Sequence, residues 1–123
     1  MSIEGARAKA EAEMDKAIAS RAAGNEGRAR VCARRAAGFA LAARCGVSGK
    51  PNAYEMLRRA AGAPGLSDAA RQAAGRLCVR VTEARRLPHL EDPLEDARLV
   101  IEELDYTLRI RMDGNLSGND NTT

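Results

Sequence analysis

Apolar positions along the first 23 residues recur at mostly three- and four-residue steps: Ile3, Ala6, Ala10, Met14, Ala17 and Ile18. That period marks one face of an amphipathic helix. It predicts a first helix over 2–23, stopped by Gly24, which takes positive φ without strain. Asn25 caps a second helix over 26–45, whose inner stripe is Ala29, Cys32, Ala36, Phe39, Ala40 and Ala43. Gly46 ends it, and 46–51 reads as a loop. Asn52 with Glu55 resembles a capping box opening a short helix over 53–61, with Tyr54, Leu57 and Ala61 facing inward. After the turn at Gly62-Ala-Pro-Gly65, Ser67 and Asp68 start a helix over 68–81. Its inner positions are Ala70, Ala73, Ala74, Leu77, Cys78 and Val81. Residues 82–92 read as a loop. Asp92, Pro93 and Glu95 then supply a cap, an N1 proline and an N3 glutamate for a last helix over 93–112. Leu94, Ala97, Ile101, Leu104 and Leu108 form a heptad seam along it.

Four substantial helices and a short one, joined mostly by short loops, predict an all-α, up-and-down four-helix bundle with one additional short helix. The bundle domain is expected over 1–114, with a polar tail over 115–123. Composition narrows this further. Of 123 residues, 25 are alanine, and only two tyrosines and one phenylalanine supply aromatic area. Alanine is the best helix former, and aromatic and β-branched residues are scarce, so a β-sandwich or barrel is excluded. A chain of this length buries about two-thirds of its unfolded surface, enough for one core. No stretch approaches 18 consecutive apolar residues, so no membrane span is expected. No basic start followed by an apolar block is visible at the N-terminus. A cytoplasmic setting is therefore expected.

The formal net charge of +3 hides an asymmetry. Residues 1–50 carry 10 basic and 5 acidic side chains, 51–86 carry 7 and 3, and 87–123 carry 3 and 9. The bland consequence is that the acidic last helix packs beside the basic ones and neutralises part of their charge. The sharper one is an anionic partner, such as RNA, on a basic face formed by Arg30, Arg34, Arg35, Arg76 and Arg80. Arginines outnumber lysines 17 to 3. Genome composition alone produces that bias, so it carries no weight for phosphate binding.

Candidate chemistry is sparse. Cys32, Cys45 and Cys78 are odd in number and contain no C-x-x-C pair, which suits reduced thiols in a reducing compartment. Each lies in an alanine-rich helical stretch and is expected as a small buried hydrophobe. His89 is the only histidine, and no ligand pair has zinc spacing. Ser48-Gly49-Lys50 is not a phosphate loop: the first glycine of that motif is missing and no strand precedes it. No cofactor motif is present.

The break at Gly24-Asn-Glu-Gly-Arg-Ala-Arg30, the small-residue run Ala33 to Ala40 and the segment Asn52-Ala-Tyr-Glu-Met-Leu57 have a familiar order. Over about residues 8–112 the chain resembles the HEPN superfamily (higher eukaryotes and prokaryotes nucleotide-binding). The segment at 52–57 sits where that family typically reads Thr-His-Asp-Leu-x-x-Leu. The resemblance implies a helical bundle, a homodimer and a small nucleotidyltransferase as partner. In many members it also implies a metal-independent ribonuclease built on an Arg followed by His after four to six residues. In such a pair, histidine serves as general base on a ribose hydroxyl and arginine holds the phosphate. Here that spacing is missing. Eight residues separate Arg80 from His89, three separate Arg85 and two separate Arg86. The expected function is therefore a non-catalytic, dimeric binding or accessory module for a protein partner or nucleic acid. The alternatives are a degenerate ribonuclease site at Arg85, Arg86 and His89, and a basic RNA-binding bundle without chemistry.

Overall fold

The computed structural model describes residues 3–46, 52–79 and 89–104. Five helices pack together, and no strand occurs among the described residues. They are α1 (Ile3–Ala22), α2 (Glu26–Cys45), α3 (Ala53–Ala61), α4 (Asp68–Leu77) and α5 (93–104). The expected tail over 115–123 lies outside the described residues.

Local chemistry sets the helix ends. Gly24 has φ 82°. Its N–H donates to the Arg21 carbonyl at 2.9 Å, and the Asn25 N–H donates to the Ser20 carbonyl at 2.8 Å. This pair of bonds closes α1 as a Schellman turn. Asn25 then accepts from the Arg28 N–H at 3.1 Å and so caps α2. One short turn thus reverses the chain, and among α1 to α4 the α1–α2 contact is the most extensive. Gly46, at φ 72°, ends α2. At α3 the Asn52 side chain accepts from the Glu55 N–H at 3.1 Å. The Glu55 carboxylate meets Arg59 at 3.1 Å, so the Asn52 bond is one half of a capping box. The turn into α4 is held by Arg71, which donates to the carbonyls of Ala63 at 3.2 Å and Leu66 at 2.6 Å.

The buried face of α1 is Ala6, Ala10, Glu13, Ala17 and Ser20. Those steps alternate between four and three, which swings Met14 to half-burial and leaves Ile18 47% exposed. The expectation that Ile18 faces the core is corrected. On α2 the buried set is wider than expected and includes Ala33, Ala37 and Leu41, while Phe39 is half-buried beneath the Lys9 ammonium. The α3 expectation is corrected as well. Met56, Leu57 and Ala60 face the core, and Tyr54 is 48% exposed. The cause is a close approach of α3 to Gly38 of α2, where an added Cβ would stand 2.7 Å from the Ala53 Cβ. Ala53 pressed against Gly38 fixes the rotation of α3, and Tyr54, one residue on, turns outward.

Helix α4 stops at Leu77, short of the expected 81. The N–H groups of Cys78 and Val79 bond to Gly75 and Arg76, three residues back, which tightens the last turn. The expected inner residue Val81 lies outside the described residues. Cys32 is buried as expected, but Cys78 is half-buried and Cys45 is exposed at the end of α2. Ala97, Leu94, Val100 and Leu104 of α5 are buried, and Ile101 is half-buried at the edge of the seam.

The core joins alanines of α1, α2 and α4 to a few larger side chains. Leu57, Leu104 and Val100 are the largest that are fully buried among the described residues. Alanines bring the helices close, while each buried leucine contributes about 1.5–3 kcal/mol of transfer free energy. Two polar clamps orient α4 and α5 antiparallel. Ser67, the α4 cap, donates from its N–H and hydroxyl to Glu103 at 2.8 and 2.5 Å. At the other end Arg76 donates to Asp96 through two bonds of 2.9 and 2.8 Å. No helix among the described residues is long and apolar enough to cross a membrane.

Candidate anion-binding groove

An open groove of about 490 Å³ runs between α2, α3 and the end of α4. Three of its lining side chains are the arginines Arg30, Arg34 and Arg35. Gly27, Val31 and Ala53 supply its small and apolar wall, and Tyr54 and Cys78 complete it. Local sequence places these groups. Arg30 and Arg34 are four residues apart and lie above one another on the same helix face. Gly27 stands one turn earlier and leaves that end of the groove open. The packing of Ala53 on Gly38 turns Tyr54 toward the groove.

One further cation stands at the ring. The Arg58 guanidinium lies 5.7 Å from the Tyr54 ring centre, a cation–π distance. Burial pushes the Cys78 thiol above its ordinary value, and the Arg58 and Arg34 charges oppose that shift. The thiol therefore stays protonated and weakly nucleophilic at neutral pH. The groove offers guanidinium donors for an anion and one aromatic face for stacking.

The other candidate residues sit elsewhere. Arg76 is tied to Asp96, whose side chain is only 5% exposed, and does not line the groove. Arg80, Arg85 and Arg86 lie outside the described residues. The His89 ring nitrogen Nδ1 is 3.1 Å from the Glu91 carbonyl oxygen. A carbonyl only accepts, so this contact calls for the proton on Nδ1 and leaves Nε2 as the acceptor in the neutral ring. Nε2 is buried and meets no partner among the described residues. No group of three or more His, Cys, Asp or Glu residues among the described residues is placed to hold a metal ion.

A second polar centre ties three helix ends together. Arg21, at the end of α1, donates to Glu26 of α2 at 3.0 and 2.5 Å and to Asp92, the cap of α5, at 2.9 and 2.7 Å. Hydrogen bonds from Arg21 hold the Asp92 and Glu26 carboxyls below their ordinary values. Acidic residues around α5 thus pair with arginines of α1 and α4, and Arg30, Arg34 and Arg35 of α2 line the groove.

Tyr54 and Cys78 line the groove, with Arg58 over the Tyr54 ring, although the sequence expects both lining residues on inner helix faces. The sequence places Tyr54 on the inward period of Leu57, three residues on, so its outward turn is not announced there; only Arg58, four residues later, is set beside it by the helix period. Cys78 reaches the groove because α4 ends there, and no local pattern announces that end. No family model, curated protein or solved structure matches the chain.

Proposed function

We propose that the chain is a non-catalytic helical binding module that holds a short single-stranded RNA segment in the α2–α3 groove. The observation that carries this reading is the convergence of Arg30, Arg34 and Arg35 with the half-exposed Tyr54 on one open surface. Guanidinium groups bind phosphate oxygens in a planar fork, which an ammonium does not reproduce. One base stacked on Tyr54 and flanking phosphates on the arginines use both features. The single aromatic platform suits a short segment better than a long strand.

The HEPN-like order of break, small-residue helix and short third helix supports the same reading, with an up-and-down bundle as scaffold. A homodimer and a nucleotidyltransferase partner belong to that likeness as separate proposals, read by sedimentation and by co-purification. Catalysis draws no support from His89, whose partner among the described residues is Glu91.

The test is fluorescence anisotropy of a labelled single-stranded RNA of about ten nucleotides. Replacing Arg30, Arg34 and Arg35 by Gln is expected to weaken binding at least about tenfold, and Tyr54→Ala by a similar factor through lost stacking of about 1–3 kcal/mol. Equal affinity of the wild type and both variants would overturn the proposal.

A further inference from the structure

A second groove, of about 250 Å³, lies between α1 and α5 and is independent of the arginine surface. Its apolar floor includes Met14, Ile18 and Ile101, and its rim carries Glu11, Asp15 and Glu102. We propose that this groove docks a basic amphipathic helix of a partner protein.

Three observations carry it. The floor is open where the sequence pattern expects a core residue: Ile18 is 47% exposed on an α1 face that α2 leaves uncovered. Two helices flanking an apolar channel form a slot into which a third helix lays one face. Met14 makes the floor adaptable, since its side chain is unbranched and polarisable.

The rim decides the occupant. Among the described residues no ion pair engages Asp15 or Glu102, and the Arg7–Glu11 contact is long at 4.0 Å. The one basic group of the groove, Arg98, pairs with Glu95 at 3.3 Å. A second copy of the chain meeting this face through a two-fold axis would set the same acidic rim against itself. Like charges facing one another across an interface disfavour that pairing. A helix with lysines or arginines flanking an apolar stripe meets the same rim with opposite charge.

The probe is a synthetic Leu/Lys amphipathic peptide of about 18 residues, long enough to hold helical turns on the surface. Its controls are a scrambled peptide of equal composition and a Leu/Glu peptide of the same pattern. The full chain is titrated with each and followed by anisotropy and circular dichroism. The expected result is saturable binding of the Leu/Lys peptide alone. The combined variant Glu11→Gln, Asp15→Gln and Glu102→Gln should weaken it at least about tenfold by removing the complementary charges. Ile18→Ser should weaken it by removing apolar floor, and Arg35→Gln should leave it unchanged. Equal binding of the scrambled or Leu/Glu peptide would overturn the proposal, and so would an unchanged affinity in the rim variant. A wild-type dimer converted to monomer by Ile18→Ser would overturn it too, because a second copy would then cover the groove. Hydrogen-exchange protection at 105–123 that disappears in Ile18→Ser would assign the groove to the chain's own C-terminal segment and would equally overturn it.

Discussion

Gly38 of α2 and Ala53 of α3 stand so close that a Cβ on Gly38 would lie 2.7 Å from the Ala53 Cβ and 2.9 Å from its Cα. The obstacle includes backbone, so relief requires a shift of α3 as a unit. Gly38→Ala is therefore expected to destabilise by about 1–3 kcal/mol through overpacking, despite the roughly 1 kcal/mol that alanine contributes to helix propensity. Adding Ala53→Gly should recover part of the loss. Urea melts of the wild type, the single variant and the double variant measure it. A Gly38→Ala protein as stable as the wild type would show that α3 yields freely.

Among the described residues, Arg76 is the hydrogen-bonding partner of the nearly buried Asp96 carboxylate, at 2.8 and 2.9 Å. Arg76→Ala should cost about 3 kcal/mol, since it leaves a buried charge unpaired. The double variant Arg76→Met with Asp96→Leu should regain most of that stability, because well-packed apolar pairs replace buried ion pairs at little loss. Chemical denaturation of both gives the comparison. A double variant no better than Arg76→Ala would contradict the assignment of the cost to the unpaired carboxylate.

Arg21 holds the Asp92 and Glu26 carboxyls below their ordinary values of 3.8 and 4.5. A carboxyl whose folded value is depressed contributes stability above its unfolded value and loses it as pH falls through the folded one. Thermal midpoints should therefore be flat in this contribution between about pH 7 and pH 5 and fall progressively below about pH 4.5. Arg21→Gln should lower the midpoint at pH 7 and flatten the acid limb. Differential scanning calorimetry across that range tests it; an acid limb of equal steepness in both proteins would exclude the Arg21 cluster as its source.

Ser67 caps α4 and is itself held by Glu103 of α5. Ser67→Ala should cost about 1 kcal/mol from the lost cap, with Glu103→Gln costing less because an amide oxygen still accepts one bond. Their effects should not add, since both act on one hydrogen-bond network. Strict additivity in a double-mutant cycle would separate the cap from the α4–α5 clamp.

Helix starts are legible in the sequence where a short polar side chain satisfies local backbone groups, as at Asn25, Asn52, Ser67 and Asp92. The ends at Gly24 and Gly46 are legible because positive φ favours glycine. Helix rotation is less legible. The faces of α1 and α3 depend on Glu13 turning inward and on Ala53 meeting Gly38, contacts with a partner helix that no local period encodes. The arginines of α2 stand out in the sequence as candidates. Their convergence with Tyr54, and the diversion of Arg76 to Asp96, depend on tertiary placement.

The salt dependence of RNA affinity bears most directly on the arginine groove. Wild-type binding to a short single-stranded RNA should weaken with salt at a log–log slope of about −2, for three phosphate contacts at roughly −0.7 each. The variant with Arg30, Arg34 and Arg35 replaced by Gln should approach a flat line. Undetectable wild-type binding near physiological salt, or an equal slope in both proteins, would contradict the groove as the RNA-binding surface.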